Sequence, residues 1–211
     1  MPPRIPIDQP RIDTFCEKWG ITEFGFCGSV IREDFRPDSD VDVLVRFAED
    51  SPISLMNWCD AEKELAEIFG RKTDIIDRSA IEKSPNYIRQ ALTLRGDTRY
   101  TKDDARLLDI LNFARGARKF TDGFTFDEFK AREEKVASMA YIVFHIRRLA
   151  EVVTEAKRAT IPGIEWSRYL GFDNLILLAE SQLNPINLWK FAREESQQLI
   201  SNLEPIIPKY D

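Results

Sequence analysis

The hydrophobic pattern changes character near residue 100. Before that point, short apolar runs with the two-residue period of strands alternate with stripes at helical spacing. Arg11 to Trp19 predicts a short helix ended by Gly20, followed by strands at about 21–27 and 41–47. A helix from Ser54 to Phe69 is predicted by the stripe Leu55, Trp58, Cys59, Glu62, Leu65, Ala66 and Phe69, with Gly70 as its stop. A further strand at 73–77 follows, and Ser84-Pro85 opens a helix with Tyr87, Ile88, Ala91 and Leu92 on one side. This is the pattern of a small α/β domain with a short sheet.

Past Arg99 the strand signal disappears. Leu107, Leu108, Leu111 and Ala114 begin a helix running to about Thr121, and Thr125-Phe126-Asp127-Glu128 is a capping box opening a long helix to about Ala156. Ile161-Pro162-Gly163 breaks the pattern, a third helix is predicted from Trp166 to Gln182, and Asn184-Pro185 starts a fourth that reaches Leu203. Four helices with short connections predict a bundle. The expected fold is therefore α+β, with an N-terminal α/β domain over 1–100 and an all-α bundle over 101–211.

Composition narrows the possibilities. The 211 residues are 43% hydrophobic and 31% charged, with a net charge of −6, as in a globular protein. Residues 1–100 hold 14 Lys/Arg against 19 Asp/Glu, and residues 101–211 hold 16 against 17. That balance argues against a general nucleic-acid binder, and basic pairs such as Arg147-Arg148 are ordinary on a solvated helix face. No apolar run approaches the ~20 residues of a membrane span, and the start MPPRIPIDQP lacks the apolar core of a signal peptide. Cys16, Cys27 and Cys59 are scattered and odd in number, which points to reduced thiols and a cytoplasmic protein.

One stretch carries chemistry: FGFCGSVIREDFRPDSDVDVLVRF. Alternation with Val41, Val43 and Val45 points Asp40 and Asp42 the same way, roughly 7 Å apart at Cα. Two carboxylates so placed repel unless a cation lies between them, and Mg²⁺ takes oxygen ligands and commonly carries triphosphates. Gly28 lets backbone approach a phosphate, and Ser29 adds a hydroxyl where a helix N-terminus is expected. Asp74, on the strand at 73–77, brings a third acid into an apolar setting. Asp77, three residues on, falls on the opposite face and is left out of the site. Arg32 and Arg36 lie near enough to touch phosphate, although arginines beside a turn are commonly only solvated.

The spacing G-S-x10-D-x-D followed by an Asp on a later strand resembles the DNA polymerase β-like nucleotidyltransferases. The segments GSVIREDFRPDSDVDVLVRF and GRKTDIIDRSAIEKSPNYIRQAL are similar to the minimal nucleotidyltransferase (MNT) subfamily. The resemblance implies that Asp40, Asp42 and Asp74 bind two Mg²⁺ ions and serve catalysis, with Asp74 accepting or orienting the attacking hydroxyl. It implies that Gly28 and Ser29, with Arg32, bind the nucleotide, ATP or another NTP. The implied reaction is in-line attack by a hydroxyl on the α-phosphorus with loss of pyrophosphate.

The segments FTFDEF, IPGIEWSRYLGF and LEPIIP make residues 102–208 resemble HEPN domains, helical bundles often paired with MNT domains in toxin–antitoxin systems. Active HEPN ribonucleases carry Arg, a polar residue, three more residues and His, often with Tyr two beyond. Aligned on Asn174, this chain has Asp173 at the Arg position, Leu178 at the His position and Glu180 at the Tyr position. Leu178 cannot move a proton and Asp173 has the wrong charge to stabilise a phosphorane. His145, the only histidine, lies in an apolar helical run and is read as packing, as are Tyr141 and Tyr169. The expectation is an antitoxin-like adenylyltransferase acting on a protein tyrosine or serine, dimerising through 102–208, with a degenerate HEPN-like half. The alternative is a non-catalytic nucleotide-binding assembly module.

Overall fold

A computed structural model of the chain describes residues 3–54, 56–170, 177–179 and 182–209. The expectations placed on Leu55, Asp173, Asn174, Glu180 and the side chain of Leu178 fall outside these residues. The chain forms two compact units, Met1–Arg99 and Tyr100–Asp211.

In the first unit, helix α1 (Gln9–Trp19) starts at Asp8, whose side chain accepts from the Arg11 N–H, and stops at Gly20 in the left-handed region. Strand β1 (Ile21–Cys27) pairs antiparallel with β2 (Val41–Phe47), which pairs in parallel with β3 (Thr73–Asp77). The parallel connection needs a crossover, supplied by α2 (Trp58–Phe69). The sheet order is β1-β2-β3, so β2 is central. Val41, Val43 and Val45 form the core with Phe15 and Trp19 of α1, Ala61 and Leu65 of α2, and Ile75. The alternate β2 positions, Asp42 and Leu44, therefore point to the other face. Two short helices, α3 (Arg78–Glu82) and α4 (Tyr87–Arg95), close the unit. The sequence pattern did not predict α3; the Asp77 side chain starts it by accepting from Ser79 N–H at 2.9 Å.

The second unit is built on α5 (Lys102–Phe120) and α7 (Glu133–Val152), with α6 (Phe126–Lys130) between them. The long helix expected from Thr125 to Ala156 is thus three pieces, the last being α8 (Glu155–Ala159). The second break has a clear cause. Val152-Val153-Thr154 is a run of β-branched residues with weak helix propensity. Thr154 is pulled out of line by Asp103, donating from Oγ1 to Oδ2 at 2.6 Å and from N–H to Oδ1 at 3.2 Å.

The helix expected over Trp166–Gln182 is not present among the described residues, and the second unit is not all-helical. Trp166–Arg168 is a single 3-10 turn, and Leu177–Ala179 (β4) pairs antiparallel with Gln182–Leu183 (β5). A short apolar run such as Leu177-Leu178-Ala179 reads equally as strand or buried helix by periodicity. The last predicted helix is α9 (Pro185–Lys190), a π-helical turn over Phe191–Glu195, and α10 (Ser196–Leu203). Among the described residues no helix is long and apolar enough to cross a membrane.

Candidate active site

The sheet brings the predicted acids to one end. β1 ends at Cys27, opposite Asp42 of β2, and Asp42 is opposite Asp74 of β3. Adjacent strands lie about 4.8 Å apart, so Asp42 and Asp74 are immediate neighbours. Asp40 precedes β2 on the same side. Asp42 is only 7% exposed, because β2 is covered on both faces.

Gly28 follows β1 with φ +71, a conformation that L side chains rarely adopt. A Cβ there would lie 2.1 Å from Asp42 Oδ2, so the turn exists only because residue 28 has no side chain. Gly28 to Ile31 form a single 3-10 turn rather than a longer helix. Ser29 follows on the same turn, which brings the Gly28 backbone close to the Asp42 carboxylate.

Arg32 is engaged elsewhere. Its Nε and Nη2 donate to Asp34 at 2.9 and 3.0 Å, and that hydrogen bonding, with a smaller contribution from the Asp42 charge, raises its pKa. Asp77 caps α3, consistent with its exclusion from the site. His145 is half-buried, stacked on Phe113 at 5.5 Å and 4.2 Å from the Tyr141 ring. Tyr169 is buried, and burial pushes its hydroxyl well above the usual phenol range. Tyr141, in contrast to the packing expected of it, is exposed. Cys27 is buried, whereas Cys59 is exposed despite its apolar neighbours in sequence.

Two residues were missed by the sequence reading. Lys72 Nζ lies 3.1 Å from Asp74 Oδ1 and 3.6 Å from Asp40 Oδ2, joining the two acids. The hydrogen bond to Asp74, then the Coulombic pull of both acids, raises its pKa. The signal was available: Lys72 is two residues before Asp74, hence on the same strand face. Arg71 donates to the Ser39 carbonyl at 3.3 Å and lies 5.1 Å over the Phe35 ring. With Arg36, Asp38 and Asp40, both line a cleft of about 340 Å³.

The profile of the nucleotidyltransferase domain matches residues 12–95. A protein of Thermococcus cleftensis named protein adenylyltransferase MntA is 36% identical over 66 residues, 31% of this chain and 65% of that protein. A protein of Methanocaldococcus jannaschii, provisionally named a protein adenylyltransferase, is 30% identical over 76 residues, 36% of this chain and 74% of its own length. The chain belongs to the nucleotidyltransferase family. It therefore spans a little under two thirds of the Thermococcus relative and about three quarters of the Methanocaldococcus one. No solved structure matches significantly.

The nucleotidyltransferase family implies a nucleoside triphosphate as substrate and typically a divalent cation. The carboxylate oxygens of Asp40, Asp42 and Asp74 are the hard donors Mg²⁺ takes. The space between Asp40 and Asp74 already attracts a cation, the Lys72 ammonium. In donor chemistry the site fits such an ion. Among the described residues no three His, Cys, Asp or Glu side chains are gathered into a ready cage.

Proposed function

We propose that this chain is an Mg²⁺-dependent adenylyltransferase that moves AMP from ATP onto a protein hydroxyl. The observation that carries the reading is the Gly28–Asp42 apposition beside Asp74, in a family of nucleotidyltransferases whose matched relatives are named protein adenylyltransferases.

The residues divide the work. The backbone of Gly28 and the Ser29 hydroxyl hold the β- and γ-phosphates, with Arg32 near enough to assist by its charge. Asp40, Asp42 and Asp74 would hold two magnesium ions, which neutralise the triphosphate and the charge that builds at the α-phosphorus. Asp74 orients the acceptor hydroxyl and takes its proton. The acceptor oxygen bonds to the α-phosphorus as the bond to the bridging oxygen breaks, and pyrophosphate leaves on the Gly28–Ser29 side.

We further propose that the second unit is a HEPN-like scaffold without ribonuclease chemistry, that the chain has an antitoxin-like role, and that it forms a homodimer through residues 102–208. An exposed stripe on α7 supports self-association: Tyr141, Phe144 and Val152 are 61%, 50% and 48% exposed on one helical side. The same exposed apolar stripe favours a second reading, a non-catalytic nucleotide-binding module that acts through assembly.

The deciding experiment uses α-labelled ATP, Mg²⁺ and candidate protein acceptors. Transfer of label with release of pyrophosphate, abolished in Asp42→Ala, supports the enzyme. Nucleotide binding without transfer in wild type supports the binding module. Identical behaviour of wild type and Asp42→Ala toward all nucleotides defeats both.

A further inference from the structure

Arg71 is held in place but not neutralised. Its guanidinium is braced over Phe35 and by the Ser39 carbonyl, which uses one of its five donors. No described carboxylate lies within ion-pair distance of it. By contrast, Arg46 is paired with Glu23 and Glu82, and Arg168 with Glu195 at 2.8 Å. In the same cleft Arg36 faces Asp38 at 3.6 Å, and Lys72 faces Asp40 and Asp74. Of these three cations, Arg71 alone has no described carboxylate within ion-pair distance.

Topology says which side of the reaction this cleft serves. β1 runs antiparallel to β2 and β2 parallel to β3, so the end of β1 and the starts of β2 and β3 lie at one end of the sheet. Gly28–Ser29 sit on the β1 flank, and Arg71, Lys72 and Asp74 on the β3 flank, with Asp40 and Asp42 between. In-line displacement places leaving group and nucleophile on opposite sides of the phosphorus. With pyrophosphate leaving toward Gly28–Ser29, the hydroxyl enters from the β3 flank.

Resting on the proposed transfer reaction, we infer that this cleft is an acceptor subsite. It binds the carboxylate of an Asp or Glu close to the modified hydroxyl of a protein acceptor, and Arg71 sets the specificity. A braced guanidinium presents a fork that matches a carboxylate. A cleft of about 340 Å³ takes a side chain or two rather than a nucleic-acid strand. The excess of acidic residues in the first unit repels a polyanion.

The test uses the full chain, Mg²⁺ and a non-hydrolysable ATP analogue. The probes are three fluorescent peptides, each with one tyrosine flanked by Glu, Ala or Lys, followed by anisotropy. Wild type should bind the Glu peptide about tenfold or more tighter than the Ala peptide, the scale of one charge-assisted contact. Arg71→Ala should erase that preference and Arg71→Glu should turn it toward the Lys peptide, with unchanged affinity for the ATP analogue in both. Equal binding of the three peptides by wild type, or a preference that survives Arg71→Ala, overturns the inference. Weakened ATP-analogue binding in Arg71→Ala would assign the residue to the nucleotide and overturn it too. Preference for a single-stranded RNA over the Glu peptide, lost in Arg71→Ala, would do the same. The parent reading fails separately, by absence of Asp42-dependent transfer with the peptides or proteins tested.

Discussion

Gly28 and Asp42 are built against each other: the missing Cβ of the glycine is the space in which Asp42 Oδ2 sits. Both the positive φ and the contact exclude a side chain. Gly28→Ala must move either the turn or the carboxylate. Displacing a reacting group by about 1 Å costs on the order of 100-fold, so transfer activity should fall by about that factor. Stability should fall by only about 1–3 kcal/mol, the cost of one strained residue. Thermal melts beside label-transfer assays would check this. Full activity in Gly28→Ala would remove the turn from the mechanism.

Lys72 is the counter-ion of Asp40 and Asp74, so it competes with any divalent cation drawn to them. Replacing it with methionine leaves the two acids uncompensated and should tighten Mn²⁺ binding about fivefold, the modest scale of a solvent-screened charge pair. Titration calorimetry on the nucleotide-free chain reads this without reference to turnover. Weaker Mn²⁺ binding by Lys72→Met would show that the lysine supports the cation rather than opposing it.

The first unit was legible because its signals are local and redundant. Val41, Val43 and Val45 alternate strictly, Gly20 and Gly70 stop helices, and Asp42 and Asp74 lie on strands whose period fixes their direction, with Asp40 just before the first of them. The cations facing those acids were harder, since Lys72 and Arg71 act across strands and only the pairing register brings Arg71 near Ser39. In the second unit the failures are tertiary overrides. The break at Thr154 is made by Asp103, 51 residues away, and no window centred on Thr154 contains it. The strand pair Leu177–Ala179 and Gln182–Leu183 stands where a helix was expected.

The stripe on α7 makes self-association testable. Phe144 is half-exposed, so a charge there should leave the helix folded while opposing any contact through that face. Sedimentation should show a dimer for wild type and a monomer for Phe144→Glu, with the same helical circular dichroism. A wild-type monomer at all concentrations removes the proposed homodimer. A dimer that survives Phe144→Glu places its contact elsewhere.

Asp103 should make the second unit acid-sensitive. It is 8% exposed. Burial pushes its pKa up, but hydrogen bonds from Thr154 and Arg106 outweigh this and hold it below the usual carboxylate value. Asp104 is lowered in the same way, burial again being outweighed by Lys157 and Thr101. A group lowered on folding binds its proton more readily in the unfolded chain. Its stabilisation is therefore complete above about pH 4, the unfolded value, and is lost as pH falls through the folded pKa. Asp103→Asn keeps the shape but not the charge and should cost about 2 kcal/mol at neutral pH, the scale of hydrogen bonds to a charged group. Its difference from wild type should shrink as pH drops below 4. Urea unfolding of the full chain, followed by helical signal at pH 7 and pH 3, reads both. A constant difference between the two proteins across that range would mean that Asp103 contributes through packing rather than through its charge.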